Sequence, residues 1–365
     1  MKAPPHYNAE YRVKDDYYYV DMGMTEERYG DNTKNRMDTT YVGYDAKPAG
    51  WQKIDRVIEA QPIKMPEQHV DTDELFEVKT QFYIGNYQSA INEAQKLKIV
   101  NPEVKIERDV FIYRAYIALK KYGVVISEIN NSSPLELQPL KMLAEYFSQP
   151  TKRESIVLKL DDMISGNFDI NNYVFLIVAG TIYFNENSYE TALKVLHQSN
   201  HLECRALMLQ TQLKMDRVDL AKKELKTMQE IDDDAIVTQL SSAWVNLLSG
   251  GDKLQEAYYT FQELADKNAT TALLLNGQAT CYIGQGKYEE ADLALQEALE
   301  KDSNNTDTLV NLVVLSQLSG KAPEVCNRYL SQLTESAPNH YLVKEFQIKE
   351  RDFDSLAIQY AASHA

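Results

Sequence analysis

Residues 275–303 read LNGQATCYIGQGKYEEADLALQEALEKDS, and this stretch decides how the chain folds. Its apolar and small residues recur at helical spacing in two runs, Leu275–Ala279–Tyr282 and Tyr288–Ala291–Leu295–Ala298. Each run places its members on one face of a helix. Gly284 and Gly286 separate the runs, and a residue without a Cβ adopts the positive φ of a tight turn most easily. The stretch therefore predicts two helices packed as a hairpin.

The same spacing is that of the tetratricopeptide repeat, a helix–turn–helix unit of about 34 residues. Further copies can be followed along the chain, and their second helices are marked by Tyr87, Tyr122, Tyr189, Val218, Leu254, Tyr288 and Val325. The interval from Tyr122 to Tyr189 is 67 residues, close to two repeats, so we expect a degenerate copy near Ser155. The copies predict about eight hairpins. Tyr341–Tyr360 is expected to form one or two terminal helices.

The predicted fold is all-α. It is a tetratricopeptide-like α-solenoid, a right-handed superhelix of helical hairpins, with a disordered N-terminal extension. Residues 1–64 are rich in tyrosine and contain no leucine, so we expect a largely disordered extension. Residues 65–365 are expected to form the solenoid with C-terminal capping helices. Because such an array binds other chains and has no built-in chemistry, the sequence favours a scaffold.

Composition narrows the class of partner. The net charge is -16, and nothing supplies the Lys/Arg stripe that nucleic acid or an anionic membrane surface requires. No run of about 18 or more apolar residues occurs, so we expect no transmembrane segment. The N-terminus does not resemble a secretory signal, and three well-separated cysteines suit a reducing compartment. We therefore expect a cytoplasmic protein that reaches membranes only through partner proteins.

The sequence contains only weak indications of a metal-binding or catalytic motif. His197, His201 and Cys204 form an H-x3-H-x2-C pattern that could hold zinc on a continuous helix. They lie where one hairpin is expected to end and the next to begin, so a solvated turn is the favoured interpretation. No G-x-S-x-G or H-E-x-x-H signature occurs. The sequence predicts no catalytic residue, no metal site, no cofactor and no cofactor-binding residue, and we expect a protein that is not an enzyme.

Longer stretches resemble one family. They are Asp73–Lys79, Phe82–Gln88, Ile91–Gln95, Glu107–Tyr116, Lys121–Val125, Leu220–Lys226, Leu273–Ala279, Thr308–Gln317, Asn327–Leu333 and Asp352–Asp354. In this order they resemble the epsilon subunit family of coatomer, the COPI vesicle coat, over about residues 65–365. Family members usually begin near Asp73, so Met65 is predicted as an alternative start. We expect residues 1–64 to be a gene-model product or a lineage-specific tail.

The resemblance implies a non-enzymatic coat subunit. Such subunits bind and stabilise the C-terminal domain of the alpha subunit, in the half of coatomer that also contains beta-prime. The assembly is recruited to Golgi membranes and supports Golgi-to-ER retrograde and intra-Golgi vesicle transport. The implied location is therefore the cytosolic side of Golgi and COPI-coated vesicle membranes, as a peripheral component.

Helical spacing also predicts a partner-binding face. The first helices of successive hairpins line the concave side of a tetratricopeptide superhelix, where a partner segment can lie. In the last two repeats the residues expected on that side are Asn276, Thr280, Ile283, Val310, Val314 and Gln317.

Two alternative functions remain open from the sequence. The first is a co-chaperone or adaptor that binds peptide C-termini, which requires a clamp of Lys, Asn and Arg on the concave helices. The net charge of -16 opposes an acidic ligand of that kind. The second is the helical-repeat subunit of a prenyltransferase, which would need a catalytic partner subunit.

Overall fold

The described part of the chain starts with two antiparallel strands, and helices follow. The structure is a computed structural model and describes residues 8–14, 17–23, 73–166 and 172–361. Contacts divide the chain into two compact units, Met1–His69 and Val70–Ala365, which we describe separately. In the first unit β1 (Asn8–Lys14) pairs with β2 (Tyr17–Gly23), with Asn8 opposite Gly23. These strands were not predicted. The remainder of the expected extension lies outside the described residues, and the domain boundary after residue 64 stays a prediction.

The second unit is built from helical hairpins. Their first helices are α1 (Phe76–Tyr83), α3 (Pro102–Ala118), α5 (Gln138–Ser148), α7 (Tyr173–Asn185), α9 (Leu202–Lys214), α11 (Ile236–Ser249), α13 (Ala272–Gly284) and α15 (Thr306–Leu318). Their second helices are α2 (Tyr87–Lys96), α4 (Tyr122–Glu128), α6 (Arg153–Ser165), α8 (Tyr189–Leu196), α10 (Val218–Ile231), α12 (Lys253–Lys267), α14 (Tyr288–Lys301) and α16 (Pro323–Ser336). A 3-10 turn, Pro150–Lys152, precedes α6, and α17 (Tyr341–Ala361) follows the last hairpin. Over the described residues this makes eight hairpins, so the predicted all-α solenoid and the degenerate copy at Ser155 are confirmed.

The turn inside most hairpins has one backbone geometry. A residue with positive φ follows the first helix at Gly85, Lys120, Asn187, Asp216, Gly286 and Gly320. The next residue then donates its N–H to a carbonyl five positions earlier, as from Lys287 to Tyr282 at 2.9 Å. This bond satisfies a carbonyl that the helix end would otherwise leave unpaired. The second helix begins directly after the turn, so Tyr87, Tyr122, Tyr189 and Tyr288 are first residues of α2, α4, α8 and α14.

Connections between hairpins use side-chain caps instead. The side chains of Asn101, Asn172, His201, Thr271 and Asn305 accept the first free N–H groups of α3, α7, α9, α13 and α15. Small residues then let the helices approach. Ala90, Ala192, Ala221, Ala257 and Ala291, which lie one turn into second helices, are all fully buried. Small buried side chains at these positions leave room for close helix packing, and each hairpin covers the apolar face of the next.

The first hairpin also packs against distant repeats. Ile84, at the end of α1, is fully buried in a cluster with Leu240 of α11 and Leu274 of α13. Its carbonyl oxygen accepts a hydrogen bond from the Thr271 hydroxyl at 2.6 Å, although 187 residues separate the two. A Cβ built on Gly85 would lie 3.2 Å from the Cβ of Leu273. Contacts between neighbouring hairpins run from the first repeat to the seventh. The packing of α1 against α13 closes this series of contacts into a ring.

A buried ion pair supports this closure. Arg114 of α3 donates both terminal nitrogens to the two carboxylate oxygens of Glu203 at the start of α9, with Nη1 3.1 Å from Oε1. The guanidinium also lies 4.7 Å from the ring centroid of Phe82 in α1. Burial by itself would raise the pKa of Glu203, but the adjacent Arg114 outweighs it and holds the pKa below its usual value. The pair therefore stays charged between two repeats that are distant in sequence.

His201 completes the polar group beside that pair. Its Nδ1 accepts the backbone N–H of Glu203 at 3.3 Å, and its ring stacks on Tyr173 with centroids 4.0 Å apart. Burial lowers the pKa of His201 below its ordinary value. Glu203 and Glu107 act to raise this pKa, and Arg114 and Lys79 act to lower it. Because Nδ1 is an acceptor here, the neutral imidazole is the form that caps α9.

Removal of Arg114 tests the ion pair. Arg114→Met leaves the Glu203 carboxylate buried and unpaired, so we expect the free energy of unfolding to fall by about 3–5 kcal/mol. Arg114→Met combined with Glu203→Leu removes both charges and should recover most of that loss. Urea denaturation followed by circular dichroism gives the values. The control, Arg217→Met, breaks the exposed Arg217–Asp219 pair and should change little. If the Arg114→Met variant unfolds at the same urea concentration as the wild type, the ion pair does not hold the closure.

The histidine cap gives a pH test. Since the pKa of His201 is lowered in the folded protein, neutral His201 contributes stability that is present above about pH 6.5 and is lost as pH falls below it. We expect the unfolding free energy to decrease from pH 7 to pH 5. His201→Asn keeps a capping acceptor that does not titrate, so its slope over this range should be flatter. Denaturant titrations at several pH values measure both slopes. Equal slopes would assign the pH dependence to other groups.

Candidate partner-binding surface

The predicted partner-binding residues lie on the first helices of the last two hairpins. Asn276, Thr280 and Ile283 are in α13, and Val310, Val314 and Gln317 are in α15. Gln317 is exposed, Val314 is 38% exposed, and Thr280, Ile283 and Val310 are partly exposed. Five of the six therefore present some surface to solvent. Their role in binding stays a prediction.

Asn276 is 7% exposed and makes three hydrogen bonds inside the protein. Its Nδ2 donates to the Ala272 carbonyl at 2.7 Å and to the Thr308 hydroxyl at 2.8 Å. Its Oδ1 accepts from Asn311 at 2.9 Å. One amide hydrogen and one lone pair thus join α13 to α15, while the other amide hydrogen bonds within α13. The side chain of Asn276 therefore joins two repeats, and its predicted contact with a partner stays a prediction.

An exposed apolar strip on α15 includes a residue that was not among the predicted six. Val310 packs partly against the core of the last two hairpins, whereas Val314 and Leu318 are more exposed, Leu318 at 50%. Leu318 lies one turn beyond Val314, so it shares the same face of the helix. The i, i+4 and i+8 spacing from Val310 would have identified it. This strip can contact an apolar partner surface.

Helix α17 carries a second exposed apolar face. At its start, Leu342 and Val343 pack against the core of the last hairpins. Farther along, Phe346, Phe353 and Leu356 share one helical face and are exposed, Phe353 at 71%. The sequence predicted that this segment caps the array. Its first turn does contact the end of the array, and the remaining turns leave aromatic side chains open to another chain.

The candidate zinc pattern is engaged in other contacts. His201 caps α9 and stacks on Tyr173, while Cys204 is fully buried. Burial raises the pKa of the Cys204 thiol to about 12, which disfavours the thiolate that a metal needs. Over residues 73–166 and 172–361, no group of three or more His, Cys, Asp or Glu side chains is arranged to hold a metal ion.

A membrane-spanning helix needs both length and apolar character. In the part of the chain that the structure describes, none of the helices combines the two to the extent needed to cross a bilayer.

Two solved structures have a fold similar to that of this chain. One is the crystal structure of the APC/C hetero-tetramer Cut9–Hcn1, with a TM-score of 0.51 and 14% identity over 74% of this chain and 54% of that chain. Another is a tetratricopeptide repeat protein from Parabacteroides merdae, with a TM-score of 0.50 and 15% identity over 71% of this chain and 96% of that chain. At these identities the likeness shows the fold alone.

Sequence relatives show the family. Coatomer subunit epsilon-1 of Arabidopsis thaliana is 42% identical over 79% of this chain and 98% of its own length. Coatomer subunit epsilon of Dictyostelium discoideum is 41% identical over 73% of this chain and 92% of its own. Coatomer subunit epsilon of Caenorhabditis elegans is 33% identical over 78% of this chain and 98% of its own length. A profile described as coatomer epsilon subunit matches residues 71–361. The chain therefore belongs to the coatomer epsilon subunit family.

Proposed function

We propose that this COPI coat subunit binds and stabilises the C-terminal domain of the coatomer alpha subunit. It would act beside beta-prime, on the cytosolic side of Golgi and COPI-coated vesicle membranes, without a catalytic activity of its own. In that position it would support Golgi-to-ER retrograde and intra-Golgi transport. The observation that carries the proposal is the family match, which extends from residue 71 to residue 361.

The surface chemistry supports a binding role. The exposed apolar strip of α15 and the aromatic face of α17 lie at the C-terminal end of the array, where no further hairpin among the described residues covers them. Large permanent interfaces have an apolar centre of this kind. The net charge of -16 favours a partner with a basic rim, since opposite charges speed and select the encounter.

The co-chaperone alternative receives less support. Its clamp would need Asn side chains that offer free amides to a peptide C-terminus. In the strongest repeats, Asn276 donates its amide hydrogens to Ala272 and Thr308, and Asn311 donates to Asn276. The relatives of this chain are named as coatomer subunits, which also weakens the prenyltransferase alternative.

Complex formation tests the proposal directly. The full chain, mixed with the purified C-terminal domain of the alpha subunit, should elute as one species in gel filtration. Light scattering should give the mass of a one-to-one complex. Separate elution at micromolar concentrations of both proteins would overturn the proposed partner.

Charge substitution on α15 tests the surface. Val314→Glu with Leu318→Glu places carboxylates in the apolar strip, so we expect affinity for the alpha domain to fall by about tenfold or more. Leu293→Glu is the matched control, because Leu293 is 73% exposed on α14, a second helix. Calorimetry measures affinity, and circular dichroism checks that each variant is folded. Equal affinity of the strip variant and the control would exclude the α15 strip from the interface.

A further inference from the structure

Two neighbouring second helices, α12 and α14, carry a large apolar side chain on their solvent-exposed face. Tyr259 of α12 is 60% exposed, and Leu293 of α14 is 73% exposed. Each lies two residues after the fully buried alanine of its helix, Ala257 or Ala291. The two side chains therefore occupy the same position in the sixth and seventh hairpins. One exposed tyrosine or leucine is ordinary on a protein surface, but two at one repeat position form a pattern.

The other hairpins show what this position usually holds. Three further second helices have a fully buried alanine one turn from their start, and the residues two positions later are Asn92, Lys194 and Lys223. All three are polar and exposed. The fold of the repeat therefore does not require an apolar residue here. Exposed apolar side chains that the fold does not need are typical of a contact with another molecule.

Glutamates flank both apolar side chains. Residues three positions before and four positions after a helical residue lie on the same face. In α12 and α14 these flanking residues are all exposed glutamates: Glu256, Glu263, Glu290 and Glu297. In the three comparison helices the same positions hold Ser89, Lys96, Thr191, Gln198, Leu220 and Thr227. Acidic flanks thus occur in the same two hairpins, among the five compared, that have the apolar side chain.

Positive charge is scarce on this surface. In α12 each flanking glutamate pairs with a lysine of the same helix, and all four side chains are more than half exposed. Such exposed pairs contribute little stability, so a cation from a partner can replace the lysine. In α14, Glu290 and Glu297 form no ion pair with any residue that the structure describes. That helix holds five carboxylates and one lysine.

Aromatic contacts connect the two helices through α13. The ring centroids of Tyr258 in α12 and Tyr282 in α13 are 4.8 Å apart, and Tyr258 also contacts Tyr259 edge to face. The Lys287 ammonium, directly before α14, lies 5.8 Å from the centroid of the Tyr282 ring. Helix α13 packs against both α12 and α14. Tyr259 and Leu293 therefore belong to one continuous stack of helices.

We propose that the exposed faces of α12 and α14 bind a basic, amphipathic segment of another protein. Its apolar side chains would contact Tyr259 and Leu293, and its Lys or Arg side chains would pair with the flanking glutamates. We name this surface the α12–α14 patch, and its residues are Glu256, Tyr259, Glu263, Glu290, Leu293 and Glu297.

Charge complementarity selects this occupant. The glutamates of the patch repel nucleic acid and anionic membrane surfaces. A two-fold contact between the patches of two copies would bring like charges together. The residues considered above for the alpha domain lie on first helices, whereas the α12–α14 patch lies on second helices. The patch is thus a second surface, separate from the one proposed for the alpha domain.

Peptide binding to the full chain tests the proposal. The probe is a fluorescently labelled helical peptide of about four turns, with leucines along one face and lysines beside them. We expect it to bind with a micromolar dissociation constant that rises with salt concentration, because exposed charges are screened. A peptide with Glu in place of Lys and one with Ser in place of Leu should each bind at least tenfold more weakly. Fluorescence anisotropy measures all three affinities.

Substitutions in the chain locate the site. Tyr259→Lys and Leu293→Lys install the residue type that Lys194 and Lys223 provide at the same repeat position, so both variants should fold. Each should weaken binding of the lysine peptide by about tenfold. Leu135→Lys is the matched control, because it makes the same charge change at a 79% exposed leucine between α4 and α5. Its affinity should stay within about twofold of wild type.

Three results would overturn the proposal. They are the absence of binding by the lysine peptide, equal binding of the lysine and glutamate peptides, and equal losses of affinity in Leu293→Lys and Leu135→Lys. Light scattering gives a further check. A wild-type dimer that Leu293→Lys converts to a monomer would assign the patch to a second copy of the chain and exclude the basic partner. None of these measurements contains the alpha domain, so their failure leaves the proposed function in place.

Discussion

A hairpin of two amphipathic helices has apolar side chains on both outer faces, and only neighbouring hairpins can cover them. The interior repeats meet this constraint by stacking on their neighbours on both sides. A terminal hairpin has a neighbour on one side only, so stacking leaves its other apolar face uncovered. At the N-terminal end, α1 folds back onto α11 and α13, with Ile84 as the buried contact. At the C-terminal end only the first turn of α17 packs, and the aromatic side chains beyond it face solvent.

The two ends therefore differ in the chemistry that they present. The N-terminal closure is partly polar, since it contains the Thr271 hydroxyl and the Arg114–Glu203 pair. Buried charge of this kind contributes less net stability than an apolar contact of the same size, but it fixes geometry strongly once formed. The C-terminal end is apolar and open. An open apolar end is what a subunit that is permanently assembled with another chain would present.

Local signals predicted most of the repeat architecture. The spacing of Tyr87, Tyr122, Tyr189 and Tyr288 fixed where second helices begin, because a tight turn and a following aromatic residue are encoded within a few positions. The closure was not predicted, since nothing in the sequence around Ile84 or Thr271 indicates a partner 187 residues away.

Helical spacing placed the predicted binding residues on α13 and α15, and their role stays a prediction. Spacing cannot tell an amide that faces a partner from one that joins two repeats, as Asn276 does. The exposed face of α17 was also missed, because an amphipathic helix predicts burial without saying which chain provides it.

The fold-back of α1 has a consequence for synthesis on the ribosome. Ile84 is made 187 residues before Thr271, its hydrogen-bond donor. At about 5–20 residues per second, roughly 10–40 s pass before the seat on α13 exists. During that time the apolar end of the first hairpin has no intramolecular cover from its final neighbours. The nascent chain is then open to chaperones, or to an assembly partner made nearby, before the ring of contacts can form.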